Sequence, residues 1–311
     1  MQMINPFQWQ IDHKGYAVID GALATELQNR GCDLNDALWS AKILIEQPHL
    51  ISAVHYDYFN AGADCAITAS YQATPLGFAK RGLSPLEAIE LIKRSVILAQ
   101  RAKTIYLQQH ATSRPLVIAG SVGPYGAYLA DGSEYTGNYA LSDQEMTLFH
   151  IDRINTLIEA GVDILACETM PSFTEIKVLI DIIKQYPTMP CWVSFTLKDS
   201  QHLSDGTPLK HVIEWLNTID QVIFMGVNCI ALDKVTSALK TFNQFTAKPL
   251  VVYPNSGELY DANTKTWSVN DHHLTLSNQV REWQENGAKL IGGCCRTTPE
   301  DIRRLVEELN R

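Results

Sequence analysis

The sequence predicts an α/β protein built as a closed (β/α)8 barrel, the TIM barrel. Three observations carry that expectation: eight short apolar runs of strand character, segments of helical period between them, and a length of 311 residues that suits one such barrel. The runs are mostly continuous rather than alternating, as strands buried on both faces should be. Strand alternating with helix implies parallel pairing through right-handed crossovers. A doubly wound open sheet is the competing arrangement, and the count of eight favours closure. No linker, low-complexity tract or repeat beyond the βα period divides the chain, so residues 1–311 read as one domain.

The first strand is AVID (17–20), and the helical PHLISAVHYDYFNAG follows it. The second is CAIT (65–68), followed by SPLEAIELIKRSVILAQRAK. The third to seventh are LVIAGSV (116–122), DILACE (163–168), CWVSFT (191–196), VIFMGVNC (222–229) and LVVYPN (250–255), and the eighth is LIGGCC (290–295). The closing segment, TPEDIRRLVEEL, puts Ile302, Leu305, Val306 and Leu309 on one helical face. It opens with Thr298 as cap, Pro299 in the first turn and Asp301 three residues after the cap. The stretch PYGAYLADGSEYTGNYALS (124–142) is too long and too rich in Gly and Tyr for a bare connection, and reads as an ordered functional loop. The glycine-rich GSVGPYG (120–126) lacks the Lys and Ser/Thr of a P-loop and the GxGxxG spacing. It reads as a tight turn rather than a phosphate nest.

Composition narrows the partners. With 46% apolar and 19% charged residues, the chain is balanced like a soluble globular enzyme. A chain this long buries roughly three quarters of its unfolded surface, so it needs no disulfides to fold. The net charge of −9 and the absence of a Lys/Arg stripe argue against nucleic acid. No apolar run approaches the roughly 20 residues that span a bilayer, and MQMINPFQWQ lacks the positive end and apolar run of an export signal. No membrane partner and a cytoplasmic location are therefore expected. In a reducing cytosol the seven cysteines stay thiols. No feature of the sequence specifies an oligomeric state.

Reactive residues collect at strand ends, where a barrel places its active site. The first strand ends in Asp20-Gly21, the fourth in Glu168-Thr169, the sixth in Asn228-Cys229 and the eighth in Cys294-Cys295. Three thiols at one mouth make a zinc site, since soft thiolates favour zinc over magnesium or calcium. Three protein ligands leave one tetrahedral corner open, the mark of a catalytic rather than a structural site. Gly292 and Gly293 are expected to give the backbone the freedom to turn both cysteines toward one metal. Cys32, Cys65, Cys167 and Cys191 read as small buried hydrophobes. His272-His273, in a polar stretch, reads as solvent-exposed. Asp20 precedes a helix-like GALATELQNRG, where capping is the plain alternative to substrate binding. Either carboxylate, Asp20 or Glu168, suits a substrate ammonium.

The segments DGALATEL (20–27), ITASYQAT (67–74), GSVGPYGAYLADGSEY (120–135), ACET (166–169), GVNC (226–229), VVYPNSGE (251–258) and GGCCRTTP (292–299) together resemble the zinc-dependent homocysteine S-methyltransferases. The likeness runs over nearly the whole chain, and GVNC with GGCC is its most specific part. It is nearest to the bacterial and plant type that uses S-methylmethionine. The resemblance leads one to expect neither the long C-terminal segment of the betaine-using branch nor the extra domains of the cobalamin- and folate-dependent enzymes. The resemblance implies Zn2+ on Cys229, Cys294 and Cys295, and a homocysteine amino group held by Asp20 and Glu168. Gly21 and Asn228 belong to the same substrate site, and Trp39 and Tyr71 lie near a sulfonium methyl donor, S-methylmethionine or S-adenosylmethionine. No catalytic residue is expected beyond the zinc site. On the residues alone two other chemistries stay open: a zinc hydrolase with Glu168 as general base, and a non-enzymatic zinc or thiol sensor. Against the first, a site of three thiolates is electron-rich and a poor Lewis acid, and the His-x-Glu with Pro-Cys-x-x-Cys pattern of deaminases is missing.

Overall fold

A computed structural model describes residues 4–36, 38–257, 259–261, 266–268 and 274–311. Eight parallel strands form the barrel: β1 (Ala17–Val18), β2 (Cys65–Ile67), β3 (Val117–Val122), β4 (Ile164–Met170), β5 (Cys191–Phe195), β6 (Val222–Asn228), β7 (Leu250–Tyr253) and β8 (Ala288–Ile291). From β2 to β8 each strand pairs with its sequence neighbours, and β1 pairs with β8. A parallel bridge from Ile19 to Cys65 closes the ring between β1 and β2. All eight expected strands are present. Among the described residues no helix is long and apolar enough to cross a membrane.

A long helix follows each strand, as right-handed crossovers require. These helices are Pro48–Ala61, Pro85–Gln109, Asp143–Glu159, Phe173–Ile183, Leu209–Asn217, Leu232–Phe242, Leu276–Glu285 and Pro299–Leu309. The last one starts as its sequence foretells: Thr298 Oγ1 accepts from the Asp301 N–H, and the Asp301 carboxylate accepts from the Thr298 N–H. Ile302, Leu305 and Leu309 are buried, and Val306 packs on their rim.

Two packed layers hold the ring. Outward-facing strand residues meet the helices in the larger apolar cluster. Inward-facing residues, among them Ala119, Ile164, Trp192, Phe224 and Leu290, fill the barrel bore. Phe7 closes its floor, edge-on to Phe224 at 5.8 Å and tilted on Trp192 at 6.5 Å. The short helix Gln8–Lys14 behind Phe7 acts as a plug, which the sequence reading did not anticipate.

β6 shows how tightly the ring is drawn. A Cβ built on Gly226 would lie 1.9 Å from the Val251 carbonyl oxygen of β7, its partner in register. Backbone cannot yield as a flexible side chain does. Gly226→Ala is therefore expected to cost at least about 3 kcal/mol, read as a melting temperature lower by about 6 °C or more. A melt within about 2 °C of the parent would show that β6 and β7 separate easily there.

Strand ends differ from expectation in several places: β1 stops at Val18 rather than Asp20, β4 runs past Glu168 to Met170, β7 stops at Tyr253 rather than Asn255, and β8 differs most. The eighth strand ends at Ile291 rather than running on to Cys295. Gly292 still donates to the Val252 carbonyl of β7, and it packs close to the chain just after β1, where an added Cβ would come within 2.4 Å of Ile19 Cγ1 and 2.7 Å of its carbonyl oxygen.

Candidate metal centre at the barrel mouth

The turn after β8 carries two of the three thiols. Gly292 N–H donates to the Val252 carbonyl at 3.0 Å, and Gly293 N–H to the Asp20 carbonyl at 3.1 Å. Cys294 N–H then donates to Pro254 O at 2.7 Å, and Ser256 N–H to Cys295 O at 3.0 Å. Thr297 Oγ1 donates back to the Cys294 carbonyl at 2.7 Å and closes the turn. The glycines are needed for close approach, not for the torsional freedom expected of them. Neither adopts positive φ, whereas a Cβ on Gly293 would sit 2.5 Å from Thr297 Oγ1. Left-handed residues of this mouth include Cys229 (φ 54), Thr169 (φ 63) and Arg296 (φ 66). Strain of this kind in non-glycine residues persists only where the surroundings enforce it.

The enforced turn at the end of β6 aims Cys229 at the other two thiols. Its sulfur lies 2.8 Å from that of Cys294 and 3.5 Å from that of Cys295. All three sulfurs fall within 4.8 Å of one another. A tetrahedral zinc with bonds of about 2.3 Å asks for sulfur–sulfur edges of about 3.8 Å, so the Cys229–Cys295 edge nearly matches and the Cys229–Cys294 edge must open by about 1 Å to hold that ion. The donor set fits too, three soft sulfurs from half-buried side chains. Within the trio, S–H···S bonds from Cys229 and Cys294 hold Cys295 well below the usual thiol range. The bond with Cys229 pushes Cys294 above it. Ionising all three at this spacing would need a cation among them to offset the charge. The Tyr135 hydroxyl, from the 124–142 loop, reaches Cys229 Sγ at 3.8 Å.

Beside the sulfurs stand two buried carboxylates. Asp20 caps no helix: the helix Leu23–Asn29 begins after Ala22 with no side-chain cap bond. Instead Asp20 Oδ2 accepts from the Ile67 N–H at 2.9 Å, tying β1 to the end of β2, and His55 Nδ1 lies 3.9 Å away. Burial raises its pKa well above the carboxylate range, and the charge of Glu168 adds to the rise. Glu168 accepts from the Ser121 hydroxyl and is hydrogen-bonded by Tyr253. Burial outweighs those bonds and brings it to about 7. Gly21 fits between Thr297 Oγ1 and the Tyr58 ring, where an added Cβ would meet atoms at 2.7 and 2.8 Å.

Asn228 is fully buried. Its Oδ1 accepts from the Thr169 N–H and the Ser194 hydroxyl, each at 2.8 Å, and its Nδ2 donates to Thr169 Oγ1 at 2.8 Å. It thus clamps the left-handed Thr169 that follows Glu168. Trp39 and Tyr71 meet edge to face with centroids 6.4 Å apart. Tyr71 also feels Cys229 and Glu168 electrostatically and hydrogen-bonds Thr169, which puts this pair at the same mouth. His272 and His273 lie outside the described residues.

Residues 17–309 match the family model described as homocysteine S-methyltransferase. The chain belongs to that family. It is 53% identical to the homocysteine S-methyltransferase of Escherichia coli over 98% of this chain and 99% of that one. It is 52% identical to homocysteine S-methyltransferase YbgG of Bacillus subtilis over 97% of each. The metallated crystal form of the homocysteine methyltransferase MmuM from Escherichia coli superposes with a TM-score of 0.89 at 51% identity, covering 97% of this chain and 99% of that one. The protein is accordingly an enzyme of the class that methylates a thiol.

Sequence reasoning about this methyltransferase missed Ser121, Tyr135, Tyr253 and Thr297. Ser121 and Tyr253 lie within strands β3 and β7 and turn inward to Glu168, a direction that period-2 alternation along those strands would have given. Tyr135 and Thr297 sit outside strands and long helices, where no periodicity predicts direction.

Proposed function

We propose that the enzyme moves a methyl group from a sulfonium donor, S-methylmethionine with S-adenosylmethionine as second candidate, to the sulfur of L-homocysteine. Zn2+ would be held by Cys229, Cys294 and Cys295. One observation carries this reading: three sulfurs and two buried carboxylates share a single barrel mouth. A zinc ion there supplies the positive charge that lets a thiol lose its proton near neutral pH.

The chain's own residues do the rest. Asp20 and Glu168 take the substrate ammonium, with Gly21 and Asn228 shaping the floor around them. The homocysteine sulfur forms a bond to the methyl carbon while the donor's C–S bond breaks. The electron pair of that bond returns to the donor sulfur, which leaves as a neutral thioether and needs no acid. Trp39 and Tyr71 attract the sulfonium through their ring faces, worth about 0.5–2 kcal/mol. In-line alignment of the two sulfurs and the methyl supplies several kcal/mol more. We place this activity in the cytoplasm, with residues 1–311 as one unit and neither nucleic acid nor membrane as partner.

Purified, zinc-loaded protein given homocysteine and each sulfonium in turn tests the reading. Methionine is expected with both donors, at least about tenfold faster with S-methylmethionine, a difference of about 1.4 kcal/mol in barrier. Chelation should stop turnover and added zinc restore it. Methionine formed without donor, or turnover indifferent to zinc, would overturn the proposal.

A further inference from the structure

Beside the mouth lies a fully buried charged cluster that supplies neither a metal ligand nor an ammonium contact, although the Arg153 charge favours the ionised Glu168. Arg153 and His150 lie one turn apart on the helix Asp143–Glu159, and Glu175 opens the helix Phe173–Ile183. All three have no exposed surface. Arg153 donates to His150 Nδ1 at 2.9 Å, which makes the other ring nitrogen the donor, and Nε2 reaches Glu175 Oε1 at 2.7 Å. A neutral imidazole therefore links a guanidinium to a carboxylate. Burial lowers the guanidinium to about 10, so it stays charged at neutral pH.

Burying such a set is costly, and apolar residues of similar volume often serve stability as well or better. What this set holds is specific. Arg153 donates to the Tyr71 carbonyl at 2.8 Å and to the Gly123 carbonyl at 2.6 Å. Gly123 in turn supports the Tyr71 ring: an added Cβ would lie 2.7 Å from Tyr71 Cδ2 and 2.6 Å from its carbonyl oxygen. Glu175 accepts from the Tyr125 N–H at 2.6 Å and from the Tyr139 hydroxyl, one near each end of the 124–142 loop. Ser172-x-x-Glu175 has capping-box spacing, yet only the Ser172 half forms, because the carboxylate is turned to these partners.

We infer that the Arg153–His150–Glu175 cluster is a positioning device for the methyl donor, fixing Tyr71 and the loop over it as one rigid wall. The inference rests on the reading of Tyr71 as a donor contact. Arg153 touches no reactant; it acts through Tyr71. A lysine at 153 keeps the charge but brings one nitrogen on a shorter stem, where Arg153 spreads two nitrogens over two carbonyls and an imidazole.

Arg153→Lys and the milder Tyr139→Phe, both as zinc-loaded enzyme, give the test. The KM for S-methylmethionine should rise tenfold or more in Arg153→Lys and severalfold in Tyr139→Phe. The KM for homocysteine should stay within twofold, and bound zinc should stay unchanged. Equal rises in both KM values, or a lowered melting point with both KM values unchanged, would reduce the cluster to a structural role. A crystal structure of Arg153→Lys reads the positioning without turnover, and a Tyr71 ring left in place there overturns the inference. If the parent enzyme turns over no sulfonium donor, the functional reading falls by itself, and the Tyr71 position still decides whether the cluster positions that residue.

Discussion

Cys294→Ala is expected to abolish methyl transfer, with kcat/KM down at least about a thousandfold, equivalent to about 4 kcal/mol of lost transition-state stabilisation. Cys294 is the sulfur nearest to Cys229, at 2.8 Å, and its backbone is tied at both ends by Pro254 and Thr297. No other cysteine belongs to the cluster to replace it. Bound zinc should fall well below one per chain, because two thiolates hold the ion far less tightly than three. Cys229→Ala and Cys295→Ala should behave alike, since the sulfurs act as a unit. Metal analysis of each purified variant beside circular dichroism checks this, with the barrel spectrum retained throughout. Full zinc and full activity in any one of the three would strike that cysteine from the ligand set.

The barrel was legible because its strands are buried on both faces. DILACE and VIFMGVNC leave little choice but a central parallel strand, and the capping signature at Thr298 marks its helix to the residue. The thiol trio was legible for a related reason: strand ends converge in a barrel, so Asn228-Cys229 and Cys294-Cys295 meet wherever the ring closes. The role of Gly292 and Gly293 was misassigned because a sequence shows a glycine but not what presses on it. Here that is Ile19 and Thr297, some 270 positions away in one case and four in the other. Phe7 gave no signal, since a lone aromatic before a short polar helix has no period to read. His150, Arg153 and Glu175 look like the polar face of ordinary helices. Only the placement of Tyr71 and Gly123 against them shows that this face points inward.

Glu168→Gln separates the two substrates of the proposed reaction. A buried carboxylate meeting an ammonium makes a charged hydrogen bond worth about 1.5–3 kcal/mol, so the KM for homocysteine should rise about 10- to 100-fold. The KM for the donor should hardly move, because Trp39 and Tyr71 would meet the sulfonium through their ring faces and not through this carboxylate. The pH dependence carries the same signature. Burial brings Glu168 to a pKa of about 7 against an ordinary 4.5, so it gains its proton as pH falls through 7. Below that point the parent should bind homocysteine progressively more weakly, and the Gln variant should lose that part of the slope. Stability runs the other way. A carboxylate whose folded pKa is raised costs nothing below its unfolded pKa, destabilises the fold as pH climbs from 4.5 to 7, and imposes the full penalty above. That penalty is on the order of 3 kcal/mol, so Glu168→Gln should melt at the same temperature as the parent near pH 4.5 and higher at pH 8. A variant that binds homocysteine poorly yet is more stable at pH 8 would identify Glu168 as a site group held at the fold's expense. Equal losses for homocysteine and donor would remove it from the ammonium site.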